Sequence, residues 1–195
     1  MTFNWLKPTL HTLTDEELMQ RVARNDDERA FDELYHRHAR RLMGFLYRQL
    51  WRDEERAADL MQDVFLRLWE HRTHYLAEAS FRPWLYSIAC NLCKNEYRHL
   101  EHRSQWEEEV RTTVSEAAAD DQIVQMQDRQ FREALASIIE SLTAEARMLY
   151  ALRFEEELTV PQIASVMELP EGTVKSRLHA LVQHLKNQLR PYGKI

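Results

Sequence analysis

An all-α fold follows from three features of the chain. Only three glycines and five prolines interrupt its 195 residues. Long stretches are rich in Leu, Ala, Glu, Arg and Gln, which favour helix, and no segment sustains the two-residue alternation of a half-buried strand. Apolar residues make up 44% of the sequence, enough for packed cores, and the length has room for one or two domains. No apolar run approaches the roughly 20 residues that span a bilayer. MTFNWLKPTLHTL also lacks the long apolar segment of a secretory signal. A soluble, cytoplasmic protein with no membrane insertion is expected.

Taken in order, residues 1–13 read as a tail. A first helix starts at Thr14, where Glu17 completes a capping box, and a second runs from about Glu28 towards Leu50. A third covers Glu54 to about His71, a polar connection covers Thr73 to Ala79, and a fourth runs from about Ser80 to Leu100. These form one helical domain over residues 14–103. Residues 104–122 change character: Glu107, Glu108, Glu109, Glu116, Asp120 and Asp121 oppose only Arg111, the composition of an acidic, flexible linker. The helical period resumes at Ile123 through Phe131, Leu135, Ile138, Ile139 and Leu142, then Met148, Leu149, Leu152 and Phe154. Residues 123–195 make a second, smaller domain.

That domain closes with LTVPQIASVMELPEGTVKSRLHALVQHL. Thr159 and Gln162 read as a capping box, and Ile163, Val166 and Met167 follow at helical spacing. Leu169 and Pro170 break the period, because Pro removes a donor and biases the preceding residue away from helical torsions. Beyond the break Val174, Leu178, Leu181, Val182, Leu185 and Leu189 form one apolar stripe, leaving Thr173, Lys175, Ser176, Arg177 and His179 outside it. Two helices around a tight turn make either a packing hairpin or a helix-turn-helix that lays its second helix in a DNA major groove. From Thr159 onward Lys175, Arg177, Lys186, Arg190 and Lys194 face only Glu168 and Glu171, although the whole chain carries −6. Affinity for phosphate follows local charge, but a solvated helix face has the same pattern.

Two further faces stand out. In ADLMQDVFLRLWEH the stripe Leu60, Met61, Val64, Phe65 and Leu68 turns inward, leaving Asp59, Gln62, Asp63 and Leu66 outside, an acidic face with one exposed leucine. It suits solvent or a basic partner helix. In FRPWLYSIACNLCKNEYRHL, Phe81, Trp84, Leu85, Ile88, Leu92 and Cys93 can pack inward while Asn91, Lys94, Asn95 and Arg98 line an outer face. Asn can pair with a base edge and the cations with phosphate, and Tyr86 or Tyr97 could stack on an unpaired base. Upstream, Arg37, Arg40, Arg41, Arg48 and Arg52 could meet phosphate or the acidic linker.

Metal, cofactor and catalytic chemistry find no support. Cys90 and Cys93 precede His99 and His102, but in continuous helix Cys90 and His102 lie about 18 Å apart along the axis, too far to share one zinc. The two cysteines are poor candidates for a disulfide, which fits a reducing compartment. There is no glycine-rich phosphate loop, no HExxH and no nucleophile flanked by a base.

In order, FDELYHRHARRLMGFLYRQL, DLMQDVFLRLW, FRPWLYSIACN, an acidic linker and LTVPQIASVMELPEGTVKSRL resemble the extracytoplasmic-function sigma factors, the small two-domain members of the sigma-70 family. The resemblance runs from about Thr14 to Leu189, and the ordered combination of DLxQDVFxxxW, FxxWLxxIAxN and EGTVKSRL makes it specific. It implies a region 2-like domain over 14–103, a region 4-like domain over 123–195, and a non-enzymatic role in promoter-specific initiation. By resemblance Asp59, Gln62, Asp63 and Leu66 bind core RNA polymerase. Thr73, His74, Tyr75 and Ser80 belong to a loop that captures a flipped base of the minus-10 element, which Asn91, Lys94, Asn95 and Arg98 help to read and open. Glu171, Gly172, Thr173, Lys175, Ser176, Arg177 and His179 match the minus-35 recognition helix. An anti-sigma factor is an expected partner. The chain departs from the family in having Asn95 where Asp is frequent, Glu168 or Leu169 where the turn often carries Gly, and few cations after Leu178. The competing expectations are a helix-turn-helix regulator acting without polymerase and a protein-interaction module.

Overall fold

The computed structural model describes residues 9–76, 78–104 and 123–192. The described residues form eight α-helices, α1 (Asp15–Asn25), α2 (Glu28–Gln49), α3 (Glu54–Glu70), α4 (Phe81–Ser104), α5 (Ile123–Ser141), α6 (Ala144–Tyr150), α7 (Val160–Met167) and α8 (Glu171–Leu189), with short 3-10 turns and one π-helical turn. No strand occurs among them. The chain divides into two compact units, the first drawing chiefly on residues through Cys93 and the second chiefly on those that follow. The acidic segment beyond Ser104 lies outside the described residues.

In the first unit α1 to α4 bury one stripe each. Leu18, Met19 and Val22 of α1, Leu34, Leu42, Phe45 and Leu46 of α2, Val64 and Leu68 of α3, and Phe81, Leu85 and Tyr86 of α4 are almost wholly inaccessible. A fully buried side chain of this size contributes about 1.5–3 kcal/mol, so this apolar set dominates the unit. Phe45 meets Tyr86 edge-on at 5.1 Å. Tyr86 is therefore core, 2% exposed, and is not available to stack on a base as its sequence position allowed. Cys90 and Cys93 are buried and not joined in a disulfide.

Helix ends follow local chemistry. Thr14 and Glu17 form the expected reciprocal capping box, and Asp27 and Asp53 cap α2 and α3 through the amides of Ala30 and Arg56, satisfying donors that a helix leaves unpaired. The expected tail is tied down from Thr9. Residues Leu10–Thr12 form a 3-10 turn, and the Arg37 guanidinium binds the carbonyls of Leu10, His11 and Leu13 together with Asp15 and Glu33. Arg37, one of the cations the sequence offered to phosphate, thus serves this attachment.

In the second unit, Thr143 caps α6, and the chain then widens into a π-helical turn over Ala151–Glu155, where the amide of Glu156 reaches the carbonyl of Ala151 at 2.9 Å. Phe154 is 46% exposed there: the wider turn rotates it off the stripe that a regular helical period assigns it. Gln162 reaches back to the Thr159 amide at 2.9 Å as the capping box requires, while the Thr159 hydroxyl donates to the same Gln162 oxygen. Val174, Leu181, Leu185 and Leu189 form the buried stripe of α8.

Candidate nucleic-acid interface

The acidic face of α3 is presented as its spacing implies. Asp59, Gln62, Asp63 and Leu66 are all exposed, Leu66 at 56%, while Val64, Phe65 and Leu68 turn inward. A leucine held outside by its own helix register, between carboxylates, offers an apolar contact framed by charge. Tyr35 of α2 adds to this neighbourhood. Its ring lies 4.7 Å from Phe65 and remains 37% exposed. Its signal in the sequence was an aromatic immediately beside the buried stripe residue Leu34.

Between α3 and α4 the chain makes a short connection. Thr73, His74 and Ser80 are exposed, whereas Tyr75 is 7% exposed, packs on Trp84 at 5.2 Å between ring centroids, and donates its phenol to the carbonyl of Ala79. Burial, with Glu16 and Asp15 nearby, pushes the Tyr75 phenol up to about 12. Tyr75 therefore shapes the connection from inside, and the side chain that projects is Leu76, 68% exposed, which residue type alone did not single out.

Along α4, Asn91, Asn95 and Arg98 are exposed and Lys94 is half-buried. Arg98 donates to the Asn95 carboxamide oxygen at 3.3 Å, which leaves the two amide donors of Asn95 for another partner. Thr73, His74 and Ser80 lie on the connection that leads into this helix.

The turn between α7 and α8 is set by Glu168, whose φ of 59° is left-handed. This locates the residue at which a glycine would be most at ease, because a side chain there meets the following carbonyl. Pro170 precedes the first turn of α8, and its carbonyl accepts from the amides of Thr173 and Val174. Glu171, Gly172, Lys175, Ser176, Arg177 and His179 are exposed and Thr173 is half-buried. Glu171 sits where the helix dipole favours an anion and pairs with Lys175 at 3.5 Å. Arg177 pairs with Glu145 of α6 at 2.8 Å. Ser176 bonds the carbonyl of Thr173. Both cations on this face thus have a carboxylate partner, and contact with phosphate would have to exchange it. Beside this pair, Leu142, Ala146, Leu149, Leu181 and His184 help to line a cavity of about 520 Å³.

Among the described residues no group of His, Cys, Asp and Glu could hold a metal ion, and no helix is long and apolar enough to cross a membrane.

Comparison with known proteins places similarity on both units. The family model for sigma-70 region 2 matches residues 34–103 and that for sigma-70, region 4 matches residues 132–185. The RNA polymerase sigma-H factor of Pseudomonas aeruginosa is 28% identical over 187 residues, covering 91% of this chain and 94% of its own. The ECF RNA polymerase sigma-E factor of Haemophilus influenzae is 27% identical, covering 92% and 97%. That of Escherichia coli K12 is 28% identical, covering 92% and 96%. Among solved structures, CnrH in complex with the cytosolic domain of CnrY matches with a TM-score of 0.65 at 22% identity, covering 91% of this chain and 97% of that one. The sigma factor RpoE in complex with the anti-sigma factor NepR from Bartonella quintana matches at 0.63 and 22%, covering 82% and 96%. These two likenesses establish the fold.

Proposed function

The chain belongs to the sigma-70 family as an extracytoplasmic-function sigma factor, and from that premise we propose how its exposed faces divide the work of promoter-specific initiation. Asp59, Gln62, Asp63 and Leu66 dock on a basic helical surface of core RNA polymerase. Complementary charge steers the encounter, and Leu66 supplies the apolar contact. Asn91, Lys94, Asn95 and Arg98, with Thr73, His74 and Ser80 on the adjoining connection, engage the minus-10 element. Glu171, Gly172, Thr173, Lys175, Ser176, Arg177 and His179 engage the minus-35 duplex through α8, as a helix-turn-helix enters a major groove.

DNA opening needs no bond chemistry from such a protein. Extruding a base costs a few kcal/mol of pairing and stacking, and stacking plus hydrogen bonds in a pocket offset it. Cations on α4 and α8 would supply the sequence-independent affinity for phosphate, while amides and Ser176 could read base edges. The work is that of a cytoplasmic, non-catalytic subunit. The pairing of RpoE with NepR supports an anti-sigma partner for this chain as well.

The observation that carries the proposal is that the acidic α3 face, the amide-and-cation α4 face and the α8 face all stand exposed on separate helices, in the same order as the matched regions. The test is permanganate footprinting of a promoter with core polymerase. Thymines of the minus-10 element should become reactive only when this chain is added. Unchanged reactivity with a competent core would refute the assignment of these faces.

A further inference from the structure

The connection from His71 to Ser80 is held at both ends by one helix. At its start, the Arg72 Nε lies 2.6 Å from Oδ1 of Asp26, Nη1 donates to the Trp69 carbonyl at 2.8 Å, and the guanidinium covers the Trp69 ring at 4.7 Å. At its end, the amide of Phe81, the first residue of α4, donates to Oε1 of Glu16 at 3.1 Å, and the Phe81 ring is fully buried against His38, 5.0 Å between centroids. His38 is in turn bonded to Asp15 at 2.8 Å. Glu16 lies near the N-terminus of α1 and Asp26 caps its C-terminus, about 15 Å apart at the rise of an α-helix. Between the anchors, the amide of Ala79 donates to the Leu76 carbonyl at 2.9 Å and Tyr75 closes on Ala79 from inside. Leu76 alone of the connection's large apolar side chains is left outside.

We propose that α1 is a brace for this connection, with Glu16 and Asp26 as positioning residues that hold its two ends in the shape that captures an unpaired base; this rests on the reading of the connection given above. The physical reason for a brace is entropic. Ordering a loop on contact with DNA opposes binding by the conformational freedom lost, and a loop already held loses less. Local chemistry fits this role better than simple stability. Asp26 is 65% exposed at its side chain, and so exposed an ion pair adds little to folding, yet it fixes Arg72 over Trp69. Asp26 also adopts a φ of 51°, a left-handed conformation that Asp tolerates better than most residues, so its side chain leaves the helix end at this point. Glu16 brings an anion to the N-terminus of α4, where the helix dipole favours it.

The experiment uses the full chain bound to core polymerase and a fork-junction promoter with 2-aminopurine in the unpaired non-template strand of the minus-10 element. Glu16→Ala and Asp26→Gly should each weaken capture about five- to thirtyfold, as expected for one residue losing its prior order, with unchanged affinity for core and for the minus-35 duplex. Asp26→Gly removes the carboxylate while keeping the left-handed backbone accessible, so it tests the brace even if Glu16→Ala folds poorly. Glu16→Gln keeps an acceptor for the Phe81 amide and should restore most of the capture. Unchanged capture in both variants, an equal loss of core, duplex and single-strand binding, or a Glu16→Gln protein as weak as Glu16→Ala would each overturn the brace. A wild-type holoenzyme that binds core but gives no 2-aminopurine signal would overturn the capture reading itself, and the brace with it.

Discussion

Arg177 of α8 reaches to α6, where its Nη1 lies 2.8 Å from Oε2 of Glu145. The two side chains are 41% and 73% exposed, so the pair is worth about 0–1 kcal/mol, small enough for a DNA phosphate to displace the carboxylate. Arg177→Ala should weaken binding to the minus-35 duplex and lower the slope of log affinity against log salt by about 1. Glu145→Gln should tighten binding by up to about fivefold, the factor that corresponds to such a pair. Anisotropy titrations over a range of salt concentrations read both effects.

Gly172 has no steric need to be glycine within the chain itself, since a Cβ there would meet nothing within 4 Å. A glycine in the middle of a helix costs about 0.5–1 kcal/mol relative to alanine, an upper limit for Gly172 in the first turn of α8. Gly172→Ala should therefore raise the denaturation midpoint. If the first turn of α8 approaches the duplex closely, the same change should weaken minus-35 binding. Opposite signs in a melting curve and a binding isotherm are the expected result.

Asp63→Arg reverses charge at the centre of the exposed α3 face and should abolish binding to core polymerase. Stability should stay within about 0.5 kcal/mol of the wild type, as for surface substitutions away from caps and core. A fluorescence titration against core, paired with a denaturant melt, separates loss of the dock from loss of the fold.

The Asp15 carboxyl is held below its usual value, first by its hydrogen bond to His38 and further by Arg37, with burial opposing. A lowered folded value means that the charged form stabilises the fold above the unfolded pKa, near 3.9, and that this contribution is lost as pH falls through the lower folded value. Asp15→Asn should be less stable than the wild type at pH 7, and the gap should close as the solution is acidified below about pH 4. Urea midpoints across that range measure the gap.

Much of this architecture is legible in the sequence because an apolar period specifies which face of a helix turns inward. The stripes Val64, Phe65, Leu68 and Val174, Leu181, Leu185 are buried as their spacing requires, and the same spacing leaves Asp63 and Arg177 outside. Caps such as Thr14 with Glu17 are equally local. Periodicity is silent on contacts between distant residues. Nothing near Arg37 in the sequence marks it as the clasp for Leu10, His11 and Leu13, and nothing near Phe81 names Glu16 as its acceptor. The same limit applies to Tyr75 and Tyr86, whose residue type suits base stacking but whose rings are enclosed. The turn before α8 needs one left-handed residue. The resemblance left Glu168 and Leu169 equivalent as the place where the family's turn often carries glycine, and the torsion falls on Glu168.

Run-off transcription with purified core polymerase, with and without this chain, on a genomic fragment library sequenced at the RNA 5′ ends asks whether this chain directs promoter-specific initiation. Start sites that depend on the added chain and share two upstream elements at fixed spacing are the expected result. A core that is competent with another sigma factor but yields no start sites dependent on this chain, in the absence of any copurified inhibitor, would contradict it.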